Sequence, residues 1–409
     1  MKRIIAILLA LVLVLSLAAC AAKPAADTVK ETVSTETSEQ KDNAAASSDG
    51  EFILGVQQPL SGDNAVAGQI AVNSIKLFVD IANKNGGWNG QQIKVVVYDD
   101  QSSSEEAVKV ANKLIEVDHA DAVIASLLSS NVLASAGYLS DAGIITIGIG
   151  TSPTWLQQGW ENVFRACHSS DLVIPSLITY MNDNNLKTVA CLHGEDDSSM
   201  SAYDPFVEQC GAAGIDILAE TSYTTGDTDF SGQIAAMLNS DPDCIYLSTQ
   251  GTILGSFMKQ LRSFGYEGLV ISKEMMTMDQ LEVAGTYANG YVFSSAYVTW
   301  GTADEVPTED MKEMYELYKE AWGEYPAQDC AFRAWDSLIV LQEALRIAGS
   351  KDTEAVRNAI LSISGLKTLA GTVDYTDGSH EGLHTAACYA VEDSKYVPVE
   401  NWDASAYLK

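Results

Sequence analysis

The chain has 409 residues, of which 47% are hydrophobic and 19% are charged, and this length predicts two or three domains. Its 24 basic and 55 acidic residues give a formal net charge of -31, which disfavours a nucleic-acid partner because like charges repel. The composition is neither that of a disordered chain nor that of a collagen.

The first twenty residues have the pattern of an exported lipoprotein. Two basic residues precede an apolar run from Ile4 to Leu15, which is shorter than the roughly 20 residues of a membrane-spanning helix. The sequence Leu-Ala-Ala-Cys follows and resembles a bacterial lipobox. We therefore expect residues 1–19 to be a signal peptide and Cys20 to carry a lipid. An ordinary signal peptide with a chance cysteine is the alternative.

Residues 20–50 predict a flexible tether. They consist mainly of Ala, Ser, Thr, Glu, Asp and Lys, without an aromatic residue. Such a segment cannot bury enough apolar surface to offset the entropy lost on ordering. Because no later apolar run is long enough to span a bilayer, we expect a folded body that is anchored to the membrane and not embedded in it.

Strand and helix patterns alternate along the body. The first half has strand patterns at 52–56, 93–98, 122–125 and 144–147, and helical patterns at 68–83, 105–117 and 130–140. The alternation restarts with helices at 172–182, 202–213, 230–238 and 254–264, and strands at 188–192, 217–223, 244–248 and 269–271. The chain continues with a strand at 292–295, helices at 308–322, 331–347 and 353–362, and strands at 372–375 and 386–391.

This alternation predicts two doubly wound α/β units, each a parallel sheet with helices on both faces. Parallel sheets bind ligands beyond the carboxyl ends of their strands, so two facing sheets would enclose a cleft.

Ser129 and Ser130 follow the third strand, and Thr151 and Ser152 follow the fourth. Hydroxyls and free N–H groups at a helix start can bind an anion. Simple helix capping is the alternative.

Residues 380–384 read H-E-x-x-H, the pattern of a zinc protease helix. Asp377, Gly378 and Ser379 precede the motif and a glycine lies inside it, so we interpret the segment as a turn between strands. A zinc hydrolase using His380, Glu381 and His384 is therefore a remote alternative.

Other chemical motifs are weak. Residues 227–232 imitate half of a calcium loop, but the twelfth position is Leu238, and Asp229 is interpreted as a helix N-cap. Neither a complete dinucleotide fingerprint, a Walker A motif nor G-x-S-x-G occurs, and the six cysteines after Cys20 form no C-x-x-C pair. We expect buried free thiols, no metal, no cofactor and no enzymatic activity.

A series of segments resembles the type I periplasmic binding proteins, in particular the leucine/isoleucine/valine-binding branch. The resemblance lies in the order and spacing of these segments, and it covers residues 51 to about 400. The matching segments are Q-P-L-S-G at 58–62, N-K-N-G-G-W-N-G at 83–90, Y-D-D at 98–100, the two hydroxyl junctions, G-D-T-D-F-S at 226–231 and G-Y at 265–266.

The resemblance implies a first lobe of residues 51–168 plus 298–383 and a second lobe of 169–297 plus 384–409. Three crossover segments would join them as a hinge, and the lobes would close on a small-molecule ligand. The resemblance also implies a monomer that delivers its ligand to the permease subunits of an ABC importer.

Site residues follow from the same resemblance. Ser129 or Ser130, together with Thr151, would hold the α-carboxylate of an amino acid, with backbone groups of Ile149 and Gly150. Glu274 in the second lobe would hold the α-ammonium. Further pocket candidates, for which core packing is the alternative at the aromatic positions, are Gln250, Trp155, Tyr203 and Trp300.

The sequence thus predicts a lipid-anchored, extracytoplasmic solute-binding protein of an ABC importer that captures an amino acid or similar zwitterion. Ala67 and Gly68 stand where many members of the branch have an aromatic residue, and Gln250 stands where the branched-chain binders have Tyr. Specificity for a branched side chain is therefore left open. Alternatives are a sensing module for a membrane receptor and a binding protein for a simple carboxylate, an aromatic acid or a purine-like ligand.

Overall fold

A computed structural model describes residues 50–224, 226–249, 253–384 and 386–408. The predicted signal peptide, Cys20, almost all of the tether and Gln250 lie outside these residues. The apolar runs form the predicted strands, whose side chains are largely buried, and the periodic segments form helices that cover them.

The first sheet contains five parallel strands in the order β2-β1-β3-β4-β5. They are β1 Phe52–Gln58, β2 Ile93–Asp99, β3 Ala122–Ala125, β4 Ile145–Gly148 and β5 Val163–Phe164. The helices between them are α1 Ala65–Lys84, α2 Ser104–Glu116 and α3 Ser129–Asp141. Among the described residues, α1 alone is long and apolar enough to cross a membrane, but half of its most apolar window is buried in this fold, as in a core helix.

The second sheet contains seven strands in the order β14-β13-β10-β9-β8-β6-β7. The parallel strands are β6 Thr188–Gly194, β7 Asp216–Tyr223, β8 Cys244–Ser248, β9 Leu269–Ser272 and β10 Tyr291–Ser295. The antiparallel edge consists of β13 Ala387–Glu392 and β14 Lys395–Pro398. The helices of this part are α4 Val173–Asp183, α5 Asp197–Ala213, α6 Ser231–Asn239, α7 Leu254–Ser263 and α8 Met278–Ala284.

The chain returns to the first sheet after β10. This segment forms α9 Glu309–Trp322, α10 Cys330–Ala348, α11 Thr353–Leu361 and the small β11–β12 pair, Leu366–Thr368 with Gly371–Val373. Helix α10 packs on α1, where the Ser74 hydroxyl donates a 2.6 Å hydrogen bond to the carbonyl of Ala331. The fold is therefore α/β with two doubly wound sheets, as the sequence predicted; the first sheet is parallel, and the second is parallel except at its β13–β14 edge.

The chain crosses between the sheets three times: after β5, after β10 and before β13. Strands β5 and β10 end at these crossings, and Ser295 at the end of β10 pairs with Ala387 at the start of β13. The third crossing is fixed beside the first because the N–H of Gly382 donates to the carbonyl of Arg165 at 2.9 Å. The carboxyl-end edges of both sheets therefore border one region, which we call the junction.

The sequence patterns did not predict four short or polar elements, namely β5, α8, β11 and β14. Strand β5 has two residues, too few for any alternation to show. Helix α5 begins at Asp197 and not at 202, because the Asp196 side chain caps it by accepting from the N–H of Ser199. All six cysteines within the described residues are buried thiols.

The carboxyl group of Asp336 in α10 is fully buried and joins the second crossing to the β11–β12 turn. It accepts hydrogen bonds from the Tyr297 hydroxyl at 2.8 Å and from the N–H groups of Leu369 and Ala370 at 2.8 and 3.1 Å. Burial raises the pKa of Asp336 from 3.8 to about 6 in spite of these donors. The folded protein therefore holds this proton to higher pH than the unfolded chain does.

This difference predicts a pH-dependent loss of stability. Between about pH 4 and 6.5 the unfolded chain releases the proton first, so the free energy of unfolding should fall by about 3 kcal/mol from this group as the pH rises. Asp336→Asn should show a smaller fall than the unsubstituted protein in urea unfolding measured across this range. Parallel pH profiles of the two proteins would contradict the assignment.

Candidate ligand-binding site

Two predicted hydroxyl junctions meet at the carboxyl-end edge of the first sheet. Ser129 opens α3, and the segment after β4, residues 149–152, passes directly against it; we call this segment the β4 loop. The N–H of Ser152 donates to Ser129 Oγ at 3.0 Å, which leaves the Ser129 hydroxyl proton available for another acceptor. A Cβ on Gly150 would lie 2.8 Å from Ser129 Oγ and 3.0 Å from its backbone, so glycine is needed for this approach.

Two buried arginines hold the carbonyl groups of the β4 loop. Arg333 Nη1 donates to the carbonyl of Ile149 at 2.6 Å. Arg165 Nη1 donates to the carbonyls of Thr151 and Ser152 at 3.2 and 2.8 Å. Because the C=O and N–H of a trans peptide point in opposite directions, the N–H of Gly150 points away from Arg333. Gly150 itself lies beside the first turn of α3, whose N-cap Leu128 makes no side-chain capping bond.

The loop and helix start together can therefore bind an anion. The available donors are the N–H of Gly150, the hydroxyl of Ser129 and the first N–H groups of α3. Ser130 is exposed on the first turn of α3, and Thr151 is partly exposed on the loop. The structure thus brings together four of the residues that were predicted to hold a carboxylate.

Arg165 also ties the β4 loop to the third crossing. Its guanidinium is fully buried and pairs with the Glu381 carboxylate through Nε at 2.7 Å and through Nη2. The backbone of Arg165 accepts from Gly382 and donates to the carbonyl of His380 at 2.8 Å. Burial raises the pKa of Glu381, although the charge of Arg165 opposes this. Arg165, which directly follows β5, thus connects the β4 loop through its hydrogen bonds and the third crossing through its ion pair with Glu381.

These contacts account for the H-E-x-x-H segment, which is not helical. Glu381 is held by Arg165, His380 Nδ1 contacts the carbonyl of Val163 at 2.8 Å, and His384 Nε2 contacts the carbonyl of Asp374 at 2.9 Å. Within the described residues, no group of three or more His, Cys, Asp or Glu side chains could hold a metal ion. The geometry gives no support to the zinc hydrolase.

Glu274 follows β9 at the carboxyl-end edge of the second sheet. Its backbone is held from two sides, because its N–H donates to Ser272 Oγ at 3.1 Å and its carbonyl accepts from the Tyr291 hydroxyl at 2.6 Å. Its carboxylate Oε1 pairs with Lys273 Nζ at 2.6 Å, and the two side chains are 39% and 11% exposed, respectively. The predicted ammonium-binding acid is therefore present at the junction edge with a lysine already beside it.

The three aromatic candidates are all buried, as the core-packing alternative predicted. Trp155 is fully buried in the core of the first sheet, with the Arg165 guanidinium 5.0 Å from its ring centre. Tyr203 is 3% exposed and stacks on His193 at 4.4 Å. Trp300 packs against Tyr389 and Tyr396 after the second crossing. Tryptophan and tyrosine carry both an apolar ring and a polar atom, so they suit a protein core as well as a pocket wall.

The sequence interpretation missed Arg165, Arg333 and Lys273. A signal was present for the arginines, since each is a lone charge inside an apolar run, V-F-R-A-C and C-A-F-R-A. Charged residues are seldom buried without a partner, so such positions indicate an internal contact. Lys273 directly precedes Glu274, but adjacency alone does not show that the two side chains pair.

Two solved structures share the fold. The branched-chain amino acid transporter substrate-binding protein LivJ of Streptococcus pneumoniae, in complex with isoleucine, has a TM-score of 0.67 at 22% identity, covering 85% of this chain and 97% of that one. An ABC transporter solute-binding protein of R. palustris, in complex with benzoate, has a TM-score of 0.66 at 19% identity, covering 86% and 96%. The molecule is therefore built as a type I periplasmic binding protein.

Sequence comparison identifies the family. The periplasmic binding protein model matches residues 52–395, and the chain belongs to this family, in its leucine/isoleucine/valine-binding branch. A relative from Brucella melitensis, Leu/Ile/Val-binding protein homolog 3, is 24% identical over 357 residues, which cover 86% of this chain and 94% of the relative. Membership implies an ABC-type substrate-binding protein that works outside the cytoplasm.

The buried ion pair at the third crossing gives a stability prediction. Glu381→Gln removes the charge that compensates the fully buried Arg165, and we expect a loss of about 3 kcal/mol in the free energy of unfolding by urea. The matched control is Glu161→Gln, whose partner Arg357 lies near the surface and whose own side chain is 78% exposed; we expect less than about 1 kcal/mol there. Equal effects of the two substitutions would show that the crossing does not depend on this pair.

Proposed function

We propose that the chain is the lipid-anchored, extracytoplasmic binding protein of an ABC importer, and that it captures an amino acid or a similar small zwitterion at the junction. The carboxylate of the ligand binds the β4 loop and the start of α3, through Ser129, Ser130, Gly150 and Thr151. Permease subunits receive the ligand unaltered, so the function is capture and release without catalysis. The lipid on Cys20 and the tether to residue 50 keep the body near the membrane.

The observation that carries this proposal is the orientation of the β4 loop. Its carbonyls at Ile149, Thr151 and Ser152 are occupied by Arg333 and Arg165, so three of the four carbonyls of the loop are turned away from a ligand. Backbone donors fixed in this way need no reorganisation when an anion arrives, which reduces the cost of binding. A carboxylate is the small anion that this arrangement and the family both favour.

In this proposal the carboxylate of Glu274 binds the ammonium group of the ligand. Lys273 occupies Oε1, so a ligand ammonium is expected at Oε2 of the same carboxylate. We propose that residues 51–168 plus 298–383 move as one lobe and residues 169–297 plus 384–409 as the other, about the three crossings. Contacts from Glu274 on one side and the β4 loop on the other would favour the closed state, because a ligand that touches both lobes binds that state better.

A non-amino-acid carboxylate is the second candidate. The similar protein from R. palustris was solved with benzoate, and the Lys273 pairing weakens the case for an ammonium requirement. A sensing module would use the same site with a receptor in place of a permease, and only the partner would differ.

A thermal-shift panel separates the ligand classes. A ligand at 100 times its dissociation constant adds about 2.7 kcal/mol of stability, so an amino acid of the right class should raise the melting temperature. Glu274→Gln should weaken that amino acid by about 2–5 kcal/mol in calorimetry and leave its deaminated acid nearly unaffected. If neither amino acids nor small carboxylates shift the melting temperature, the proposed function is wrong. If the deaminated acid loses as much affinity as the amino acid, Glu274 does not bind the ammonium.

The close approach of the β4 loop to α3 gives a second prediction. Gly150→Ala places a methyl group against the backbone of Ser129 and should separate the two anion-binding elements. We expect at least tenfold weaker binding of the ligand found in the panel, measured by calorimetry, or about 1.4 kcal/mol. Gly211→Ala is the control, because its Cβ would meet nothing within 4 Å on α5. Undiminished affinity in a folded Gly150→Ala protein would remove the loop from the site.

A further inference from the structure

A cavity of about 690 Å³ lies beside the first and third crossings. Its wall is formed by the helical turn Pro153–Gln158, which directly follows the β4 loop, by α11 and by residues 378–381 of the third crossing. Asp171 of the first crossing also lines it. None of the residues proposed to bind the ligand carboxylate belongs to this wall, so the cavity is distinct from the junction site. We call it the crossing cavity.

Helix α11 brings a cation with unused donors to the crossing cavity. Arg357 Nη1 donates to Glu161 Oε2 at 3.0 Å and to Asn162 Oδ1 at 3.4 Å, whereas Nε and Nη2 have no partner among the described residues. The Glu161 side chain is 78% exposed, so its pairing with Arg357 is weak and a ligand anion can compete with it. Since the Arg357 side chain is 24% exposed and lines the cavity, a carboxylate can reach its free N–H groups.

The first crossing brings an anion to the same cavity. Asp171 is exposed, and its carboxylate accepts a hydrogen bond from the Ser169 hydroxyl. Glu381 also lines the cavity, with 21% of its side chain exposed. Burial raises the pKa of Glu381, and the charge of Asp171 adds to this effect, which shows that the two carboxylates repel each other. A ligand ammonium beside them would relieve the repulsion.

Neutral hydrogen-bonding groups and apolar side chains complete the wall. His380 Nδ1 lies 2.8 Å from the carbonyl of Val163, which can only accept, so Nδ1 carries a proton and Nε2 of the neutral ring remains an acceptor. The exposed side-chain amide of Gln157 can both donate and accept. These groups match the N–H and C=O of a peptide bond. Apolar surface comes from Pro153, Leu156 and Leu361.

We propose that the crossing cavity binds short peptides that have a free amino terminus and a free carboxyl terminus. The carboxylate of the peptide pairs with Arg357, its ammonium lies beside Asp171 and Glu381, and its apolar side chains contact Leu156 and Leu361. The cavity volume falls within the roughly 300–1,000 Å³ of pockets that hold drug-sized ligands, and a single amino acid would leave much of it unfilled. This site is additional to the proposed function and does not depend on it.

Calorimetry with one dipeptide and its capped forms tests the two charged ends separately. The probe is leucyl-leucine; N-acetyl-leucyl-leucine lacks the cation, and leucyl-leucine amide lacks the anion. We expect each capped form to bind the full-length chain at least about tenfold more weakly than the free dipeptide, because each leaves a charged side chain of the cavity without its partner. Equal affinity of either capped form, or no binding of the free dipeptide, overturns the proposal.

Variants then assign each end to its side chain. Arg357→Gln should reduce the discrimination between the free dipeptide and its amide at least about threefold, and Asp171→Asn should do the same for the acetylated form. The matched controls are Arg346→Gln and Asp304→Asn, whose side chains are 68% and 94% exposed and lie outside the cavity wall; both should keep the full discrimination. Full discrimination in a folded Arg357→Gln or Asp171→Asn protein, checked by circular dichroism, overturns the assignment.

Gly150→Ala distinguishes the crossing cavity from the junction. This substitution is expected to weaken ligands of the β4 loop, which does not line the cavity. Leucyl-leucine should therefore bind Gly150→Ala with nearly the affinity that it has for the unsubstituted protein. A tenfold loss, or about 1.4 kcal/mol, would place the dipeptide at the junction and overturn the proposal.

Discussion

The proposed binding region depends on two buried arginines, Arg165 and Arg333. A guanidinium buried in a protein must find acceptors, and Arg165 and Arg333 find three of them in four consecutive residues of the β4 loop. The loop therefore has little freedom to turn its carbonyls toward the junction. The buried arginine charges thus determine which backbone groups of the β4 loop can face the proposed ligand site.

The same requirement connects the loop to the hinge segments. The second half of the Arg165 guanidinium pairs with Glu381 in the third crossing, and its backbone is bonded to both neighbours of that residue. The loop and this crossing therefore form one rigid piece. In the first crossing, the His168 ring contacts that of Tyr297 in the second crossing, and the Tyr297 hydroxyl donates to Asp336 of α10. In the proposed closure, the second sheet would move about points beyond these anchors.

Much of this fold could be predicted from local patterns. Long apolar strands such as β1 and β6, and amphipathic helices such as α2, are recognisable from the periodicity of a few residues. The hydroxyls at Ser129 and Thr151 could be placed as well, since parallel strands end at a common edge. The arginine contacts could not. Arg333 binds a carbonyl 184 residues away, and no spacing rule links the two.

The aromatic side chains mark another limit of sequence reasoning. A tryptophan after a strand fits a pocket wall and a sheet core equally well, and only its contacts with Arg165 and with Gly148 decide for the core at Trp155. Likewise, the sequence shows Lys273 beside Glu274 but not their pairing. Side-chain direction is set by tertiary packing, which local sequence patterns do not show.

A crystal structure of the protein with its bound ligand tests the central claim most directly. The account predicts carboxylate oxygens at roughly 3 Å from the N–H of Gly150 and the hydroxyl of Ser129, with the Ile149 carbonyl still held by Arg333. A ligand carboxylate bound elsewhere, or a β4 loop whose carbonyls have turned toward the ligand, would contradict it.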